Sequence, residues 1–305
     1  MSIFSTCAVI IPALNAANEW SRSAPRLLAS IPAEQVLIID SSSVDGTADL
    51  ARAMGVRVHT ISRVEFNHGG TRQLAADLLP DAEVLIYLTQ DAVLAGPNAL
   101  KALLRPFVDP QVAAAFGRQL PRPGAGPLEA HARFFNYPSE SNIRTLESRK
   151  DLGFKAIFIS NSFAAYRRDA LMDIGGFPTD VIFGEDTITA AKFLLSGRKI
   201  AYVAEAKVFH SHSYSWKQDF KRYFDIGVLH AREKFLLREF GSTSGEGRRF
   251  VTSELRYLWP RYWWLIPSVL IRTTLKFAGY RLGRLEDKLS IGWKRNLSMH
   301  SGFWK

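Results

Sequence analysis

The sequence predicts a doubly wound α/β domain followed by a basic, aromatic-rich helical region. The first third of the chain alternates short apolar strands with helical segments, a pattern typical of a parallel sheet covered on both faces. Near Trp216 the composition changes. Residues 1–215 carry 21 Lys and Arg against 21 Asp and Glu, whereas residues 216–305 carry 18 against 8. We therefore predict a catalytic domain over residues 1–215 and a C-terminal helical region over residues 216–305.

Apolar runs and helix start and stop signals define the elements of the α/β part. The predicted strands are Ala8–Pro12, Val36–Asp40, Arg57–Ile61, Val84–Leu88, Ile157–Tyr166, Ile200–Val203 and Ala206–Phe209. The predicted helices are Glu19–Ser30, Thr47–Met54, Gly70–Leu79 and Ile188–Gly197. The polar segment of residues 131–155 is predicted to be a mobile region over the crevice of the sheet.

The C-terminal region holds the whole excess of the net charge of +10. This excess indicates an anionic partner, for which nucleic acid and an anionic membrane surface are the candidates. Helices are predicted over Asp219–Phe240 and from Arg248. Residues 258–271 are rich in Trp and Tyr but too interrupted to span a bilayer, which needs about 20 apolar residues. They indicate a helix in the plane of a membrane interface, or one packed on the catalytic domain or on another subunit of an oligomer.

Cysteine usage and the N-terminal sequence bear on the compartment. A single cysteine, Cys7, excludes an intrachain disulfide and indicates a reducing compartment. The apolar run of residues 7–14 is short, contains a proline and has no basic flank, so we expect no signal peptide. We expect a cytoplasmic protein.

Three short motifs carry the chemistry. Residues 8–15 read AVIIPALN, residues 89–91 read TQD at the end of an apolar strand, and residues 184–186 read GED before a helix. Strand ends in an open α/β sheet converge on one crevice, where ligands bind. In this order, and followed by His210 and His212, the motifs indicate a site for a nucleotide-sugar diphosphate, a divalent metal and a catalytic base.

These motifs resemble those of a known family. Residues 9–15 (VIIPALN), 39–47 (IDSSSVDGT) and 184–186 (GED) resemble the signature blocks of the family 2 glycosyltransferases. These are inverting enzymes of the GT-A fold. Three further segments resemble the bacterial rhamnosyltransferase branch of that family: residues 66–73 (FNHGGTRQ), 89–92 (TQDA) and 210–214 (HSHSY). The resemblance covers about residues 6–215 and implies a GT-A doubly wound sheet that is mixed and mainly parallel.

The resemblance implies a donor site at several strand ends. Its predicted residues are Pro12, Asn15, Asp40, Ser42, Arg72, Gln90 and Asp91. A carboxylate at Asp40 can accept the imide N–H of a uracil or thymine ring, and Arg72, in the first turn of a helix, can chelate phosphate oxygens. Capping of the following helix explains the serines near Ser42 as well, and a plain helix start explains the glycines before Arg72.

A metal site and a catalytic base are also implied. Thr89 replaces the first acid of the family's Asp-x-Asp motif, which leaves Asp91 to hold Mg²⁺ or Mn²⁺ together with the donor's diphosphate. His210 corresponds to a histidine that completes the metal site in some members. His212 lies on the same face of an extended segment. We expect it to contact the acceptor or the sugar; a metal ligand and a structural hydrogen-bonding residue are the alternatives.

The family's base corresponds to Asp186, which would remove the proton of the acceptor hydroxyl as that oxygen attacks the anomeric carbon. A pair of acids that caps the helix and balances its dipole is the alternative. Glu185 and Asn161 are predicted to contact the acceptor or the sugar, or, for Glu185, to orient a loop.

The combined prediction is an inverting glycosyltransferase that adds one sugar, most specifically L-rhamnose from dTDP-L-rhamnose, to a lipid-linked or lipopolysaccharide-type glycan. The family's processive Gln-x-x-Arg-Trp block is absent near Trp216. We expect a peripheral enzyme at the inner face of the cell membrane that binds no nucleic acid. The alternatives are a GT-A enzyme using a UDP- or GDP-sugar, a nucleotidyltransferase, and a non-enzymatic nucleic-acid binder suggested by the basic tail.

Overall fold

The computed structural model describes residues 6–304 of the chain. Its strands are β1 Cys7–Ala13, β2 Val36–Asp40, β3 Arg57–Thr60, β4 Val84–Leu88, β5 Val93–Leu94, β6 Val112–Leu120, β7 Asn142–Arg144, β8 Phe163–Arg167 and β9 Lys199–Phe209. Its α-helices are α1 Ala17–Leu28, α2 Thr47–Ala53, α3 His68–Asp77, α4 Ala99–Leu104, α5 Pro127–Asn136, α6 Arg149–Leu152, α7 Arg168–Asp173, α8 Glu185–Leu195, α9 Trp216–Arg232, α10 Lys234–Phe240, α11 Ser244–Leu258, α12 Ile266–Gly283 and α13 Ile291–Leu297.

The described strands form one mixed sheet in the order β3-β2-β1-β4-β8-β6-β9-β5, with β7 paired to β9. Strands β3, β2, β1 and β4 run parallel to one another, and so do β6 and β9. Strand β8 joins these two groups by antiparallel pairing with β4 and β6. Ala13, the last residue of β1, lies opposite Asp40, the last of β2, so the loops after both strands leave from the same edge. The predicted α/β class is confirmed.

The sheet is buried because its central strands are apolar on both faces. Ala8 and Ile10 of β1 belong to the core on one face, whereas Val9 and Ile11 belong to the core on the other. Helices cover both cores, and each fully buried large aliphatic side chain contributes about 1.5–3 kcal/mol. The two cores fix the strand ends, from which the candidate site is built.

Several element predictions need correction. Residues 131–155, predicted to be mobile, contain part of α5, the edge strand β7 and α6. One strand, β9, replaces the two predicted over residues 200–209, because a register shift against β6 keeps the pairing continuous. Strand β6 was not predicted: it is rich in alanine, which favours helix, and its strand form depends on pairing with β8 and β9.

The C-terminal region packs through α9 and α12. A Cβ on Gly283 of α12 would lie 2.0 Å from the carbonyl oxygen of Phe224 on α9, and one on Gly279 would lie 2.4 Å from that of Phe220. Glycine therefore permits the two helix backbones to touch, so α9 and α12 pack against each other within the C-terminal region. Of the helices within residues 6–304, none is both apolar enough and long enough to cross a bilayer.

Candidate active site

The loops that leave β1, β2 and β4 are tied together by side chains. Asn15, in a left-handed conformation with φ 48°, accepts a hydrogen bond from the Val44 amide through Oδ1 at 3.0 Å. Its own amide donates to Ser43 Oγ at 2.8 Å. Gln90 Oε1 accepts from the Leu14 amide at 2.8 Å. Asn15 and Gln90, both predicted to bind the donor, thus hold three strand ends as one unit.

Asp40 presents an unpaired buried oxygen at this junction. The residue is 2% exposed, and its Oδ2 accepts from the Ser43 amide at 3.0 Å. Its Oδ1 is buried and has no hydrogen-bond partner among the described residues. An unsatisfied buried acceptor costs about 1–3 kcal/mol, so an N–H group from a ligand would stabilise this site. The imide N–H of a pyrimidine base is such a donor.

Two other predicted donor residues lie beside Asp40. Ser42 has φ 56°, and its hydroxyl donates to the carbonyl oxygen of Ile61 at 2.8 Å. Pro12 is the half-buried residue before the last one of β1 and lies opposite Ile39. Both therefore shape the floor of the loop junction that Asp40 and Asn15 line.

Asp91, His210 and His212 converge on one another. His210 Nε2 lies 3.4 Å from Asp91 Oδ1, and His212 Nε2 lies 3.8 Å from Asp91 Oδ2. One ligand atom from each residue lies within 4.8 Å of the other two. The structure therefore brings His212 into the cluster with Asp91 and His210. The sequence analysis gave this arrangement as an alternative to a contact of His212 with the acceptor or the sugar.

The tautomer of His210 follows from its hydrogen bond to Gln119. The Arg133 guanidinium lies 2.5 Å from Gln119 Oε1. Because arginine can only donate hydrogen bonds, the Gln119 atom at this position is the amide oxygen and not the amide nitrogen. His210 Nδ1 lies 2.9 Å from the same Oε1, so Nδ1 carries the proton. Nε2 is then the nitrogen that faces Asp91. A ligand oriented by a hydrogen bond at its other nitrogen is typical of metal-binding histidines.

Protonation states at the cluster also suit a cation. Burial alone would raise the pKa of Asp91, but its hydrogen bond with His210 outweighs this effect and holds that pKa below its ordinary value. Burial and the neighbouring His210 lower the pKa of His212 to about 4, so its imidazole is neutral near pH 7. A carboxylate and two imidazole rings are a donor set that fits Mn²⁺ and related divalent ions.

Asp186 lies in the first turn of α8, after Gly184, which adopts φ 80°. Its Oδ1 accepts from the Thr187 amide at 2.7 Å, and its Oδ2 accepts from the Asn161 amide at 3.3 Å. Burial and the adjacent Glu185 carboxylate raise the pKa of Asp186 to about 7. A carboxylate with this pKa can take a proton from a substrate at neutral pH.

A buried polar network lies next to Asp186. Glu185 Oε1 pairs with Arg72 Nη1 at 3.0 Å and accepts from Asn161 Nδ2 at 2.9 Å. Tyr166 donates to Asn161 Oδ1 at 2.6 Å. Burial alone would raise the pKa of Glu185, but the Arg72 guanidinium and the hydrogen bond from Asn161 outweigh it, so this pKa is lowered. Glu185 thus links Arg72 and Asn161 next to the base.

This geometry bears on three predicted contacts. Arg72 and Glu185 have side chains only 7% and 5% exposed, and Asn161 is 3% exposed. Contacts of Arg72 with phosphate, and of Glu185 and Asn161 with the acceptor or the sugar, remain predictions. Gln119, Arg133 and Tyr166 were missed by the sequence analysis, because none stands in a recognised motif and each acts through a residue distant along the chain.

Comparisons with known proteins indicate the family of this chain. A family model described as glycosyltransferase like family 2 matches residues 5–224. The O-antigen chain rhamnosyltransferase RfbN of Salmonella typhimurium is 44% identical over 302 residues, which cover 97% of this chain and 95% of the relative. The O-antigen chain rhamnosyltransferase WbaN of Salmonella anatum is 44% identical over 300 residues, with the same coverage.

The chain belongs to glycosyltransferase family 2.

A solved structure shows the same fold as this glycosyltransferase. The mannosyltransferase PcManGT from Pyrobaculum calidifontis, in complex with GDP-Man and Mn²⁺, aligns with a TM-score of 0.57 and 18% identity, covering 98% of this chain and 85% of that one. The predictions of a GT-A fold and of a sugar-transferring enzyme are confirmed. The cluster of Asp91, His210 and His212 is a possible metal site of this enzyme.

Proposed function

We propose that this glycosyltransferase moves L-rhamnose from dTDP-L-rhamnose to a hydroxyl group of a lipid-linked or lipopolysaccharide-type glycan, with inversion at the anomeric carbon. The observation that carries the proposal is the 44% identity, over nearly the whole chain, to relatives named as O-antigen chain rhamnosyltransferases. At that identity and coverage, the site residues are held by the same fold as in those relatives. A closely similar reaction is the simplest expectation.

The donor base is expected to bind at the junction of β1 and β2. The unpaired Oδ1 of Asp40 would accept the imide N–H of thymine, which supports a nucleotide whose base carries such a donor. The loops held by Asn15 and Gln90 form the adjacent wall.

The metal is expected to be Mg²⁺ or Mn²⁺, held by Asp91, His210 and His212. The imidazole nitrogens and the carboxylate described above fit such an ion. When bound, a divalent cation supplies positive charge that offsets the charge of the donor's diphosphate. The Gln119 hydrogen bond at Nδ1 keeps Nε2 of His210 directed at the cluster.

Asp186 is proposed to be the general base. As the acceptor oxygen forms its bond to the anomeric carbon, the bond from that carbon to the diphosphate oxygen breaks, and the acceptor's proton passes to the Asp186 carboxylate. Amide donors from Asn161 and Thr187 fix the two carboxylate oxygens before the reaction. A positioned base of this kind contributes about 10²–10⁴-fold to the rate.

The C-terminal region is proposed to hold the enzyme on the inner face of the cell membrane. Trp259, Trp263 and Trp264 are 72%, 64% and 57% exposed, and they lie between two helices with many basic residues. Exposed tryptophans beside arginines are typical of interfacial anchors. We expect Trp263→Ser with Trp264→Ser to reduce sedimentation with anionic vesicles, whereas Trp293→Ser on α13, 62% exposed, is the control. Equal loss in the control would contradict this role.

A transfer assay tests the reaction itself. The enzyme is incubated with a glycan-lipid acceptor fraction and dTDP-L-rhamnose, UDP-glucose, UDP-galactose or GDP-mannose, and products are identified by mass spectrometry and by the NMR coupling at the new anomeric carbon. We expect transfer from dTDP-L-rhamnose with inversion. Preferred transfer from another donor would keep the glycosyltransferase and reject the rhamnose assignment.

A further inference from the structure

Two histidines from distant parts of the chain meet beside the loop that leads to Asp186. His68 begins α3, and His300 belongs to the segment of residues 298–304 that follows α13. His68 Nε2 lies 3.4 Å from His300 Nδ1, and the ring centroids are 4.8 Å apart. His300 also stacks on Phe183, with ring centroids 5.9 Å apart and planes at 22°.

This histidine pair lies next to the catalytic acids. Arg72, the partner of Glu185, donates to the carbonyl oxygen of His68 at 2.9 Å. Gly69 packs so closely that a Cβ on it would lie 3.4 Å from the Cβ of Glu185. Phe183, under the His300 ring, immediately precedes Gly184 and the two acids. The pair is therefore part of the wall beside Asp186.

The 298–304 segment is anchored on both sides of His300. The Met299 amide donates to Asp225 Oδ2 at 2.9 Å, and Lys221 Nζ donates to the carbonyl oxygen of Ser298 at 3.2 Å. Trp304, 6% exposed, packs in an apolar cluster with Ile182, Phe224 and Val228. These contacts place His300 at the site although it is far from the catalytic motifs in sequence.

Both rings are neutral at pH 7. Burial, with Arg222 and the neighbouring ring, lowers the pKa of His300 to about 3, and burial lowers the pKa of His68. A neutral imidazole has one donor and one acceptor nitrogen. Whichever ring donates in the contact between them, the outer nitrogens of the pair are one donor and one acceptor. Two neighbouring hydroxyl groups of a sugar, each able to donate and accept, match that set.

An apolar surface adjoins the pair. Phe66 is 39% exposed, and its ring meets the His68 ring edge-to-face at 5.1 Å. The C–H face of a sugar ring packs well on such an aromatic surface, while its hydroxyl groups need hydrogen bonds. Phe66, His68 and His300 together offer both kinds of contact within one short stretch of the wall.

We propose that His68, His300 and Phe66 form a subsite for the acceptor sugar, in which the two imidazoles bind neighbouring hydroxyl groups and Phe66 packs on the apolar face. The inference rests on the proposed function and names the part of the same site that the acceptor occupies. The 298–304 segment is then a component of the active site and not only of the C-terminal region.

Kinetics with varied acceptor at saturating dTDP-L-rhamnose test this subsite. His68→Phe and His300→Phe keep a ring but remove its hydrogen bonds, and we expect each to raise the acceptor KM about tenfold, the effect of losing one buried hydrogen bond. Donor binding by calorimetry, and acceptor-independent hydrolysis of the donor, should stay within about twofold of wild type. His300→Gln, which keeps a donor and an acceptor, should recover most of the loss.

His59→Ala, a histidine on the edge strand β3, is the matched control and should leave the acceptor KM unchanged. Melting temperatures show whether each variant folds. An unchanged acceptor KM in both Phe variants, with normal transfer, would overturn the subsite alone. A fall in donor binding and hydrolysis equal to the effect on transfer would overturn it too, since it would show a structural role. A wild-type enzyme that transfers no sugar from any donor would overturn the proposed function and the subsite with it.

Discussion

Replacing Arg72 by leucine tests whether this residue supports Glu185 or contacts the donor's diphosphate. In the structure its guanidinium lies 3.0 Å from Glu185 Oε1, and both side chains are almost fully buried. Arg72→Leu would leave the Glu185 carboxylate buried, with the Asn161 amide as its remaining side-chain hydrogen bond. The variant should therefore lose stability as well as activity.

The size of the effect follows from the geometry. Two unit charges 3.0 Å apart attract by roughly 5–6 kcal/mol at an effective dielectric constant of about 20. Breaking a buried pair by removing one partner costs about 3–5 kcal/mol, whereas replacing both by apolar residues is often neutral. We expect Arg72→Leu to lower the free energy of unfolding by about 3–5 kcal/mol, and Arg72→Leu with Glu185→Leu to cost less than either single change.

Urea denaturation of the single and double variants measures this coupling. The control is Arg52→Leu, which breaks an exposed pair with Asp49 at 3.1 Å and should cost at most about 1 kcal/mol.

The Arg72 charge also favours the ionised form of Asp186, so its loss should move the rising limb of the pH–rate profile to higher pH. A loss of under about 1 kcal/mol, combined with a selective rise in the donor KM, would refute the positioning role and support the phosphate contact that the family resemblance implies.

Three further predictions concern the base and the helical region. Asp186→Asn should lower kcat by about 10²–10⁴-fold, while calorimetry finds donor binding intact; lost binding would contradict a role limited to proton transfer. Wild-type kcat should fall as pH drops through about 7, because Asp186, its pKa raised by burial and by Glu185, becomes protonated. A profile flat from pH 5 to pH 8 would oppose that assignment. Gly283→Ala, whose Cβ would lie 2.0 Å from Phe224 O, should cost about 1–3 kcal/mol in thermal unfolding. Gly292→Ala, with nothing within 4 Å of its Cβ, should cost far less.

The fold and the residues at the strand ends could be predicted from the sequence for a simple reason. Buried parallel strands are continuous apolar runs, and their carboxyl ends meet at one edge. Asp40 and Asp91 could therefore be placed near one crevice from their positions after such runs. His210 and His212 shared a face by their alternation, and the structure adds that both reach Asp91.

The supporting contacts were not accessible, because they join residues without a local pattern. Strand β6 is rich in alanine and shows no strand pattern in the sequence. The hydrogen bond between Gln119, on β6, and His210 could therefore not be predicted. The pairing of Arg72 with Glu185, and the return of His300 to the catalytic wall, depend on tertiary packing of α3, α8 and the 298–304 segment. Such contacts follow from the assembled fold and from no motif.

The most direct measurement is calorimetric binding of dTDP-L-rhamnose to the wild-type enzyme and to Asp91→Ala, each with and without Mn²⁺. We expect binding that requires the metal ion, that exceeds binding of GDP-mannose, and that is lost in Asp91→Ala. Equal binding with and without metal, unchanged in the variant, would contradict a metal-assisted nucleotide-sugar site at Asp91, His210 and His212.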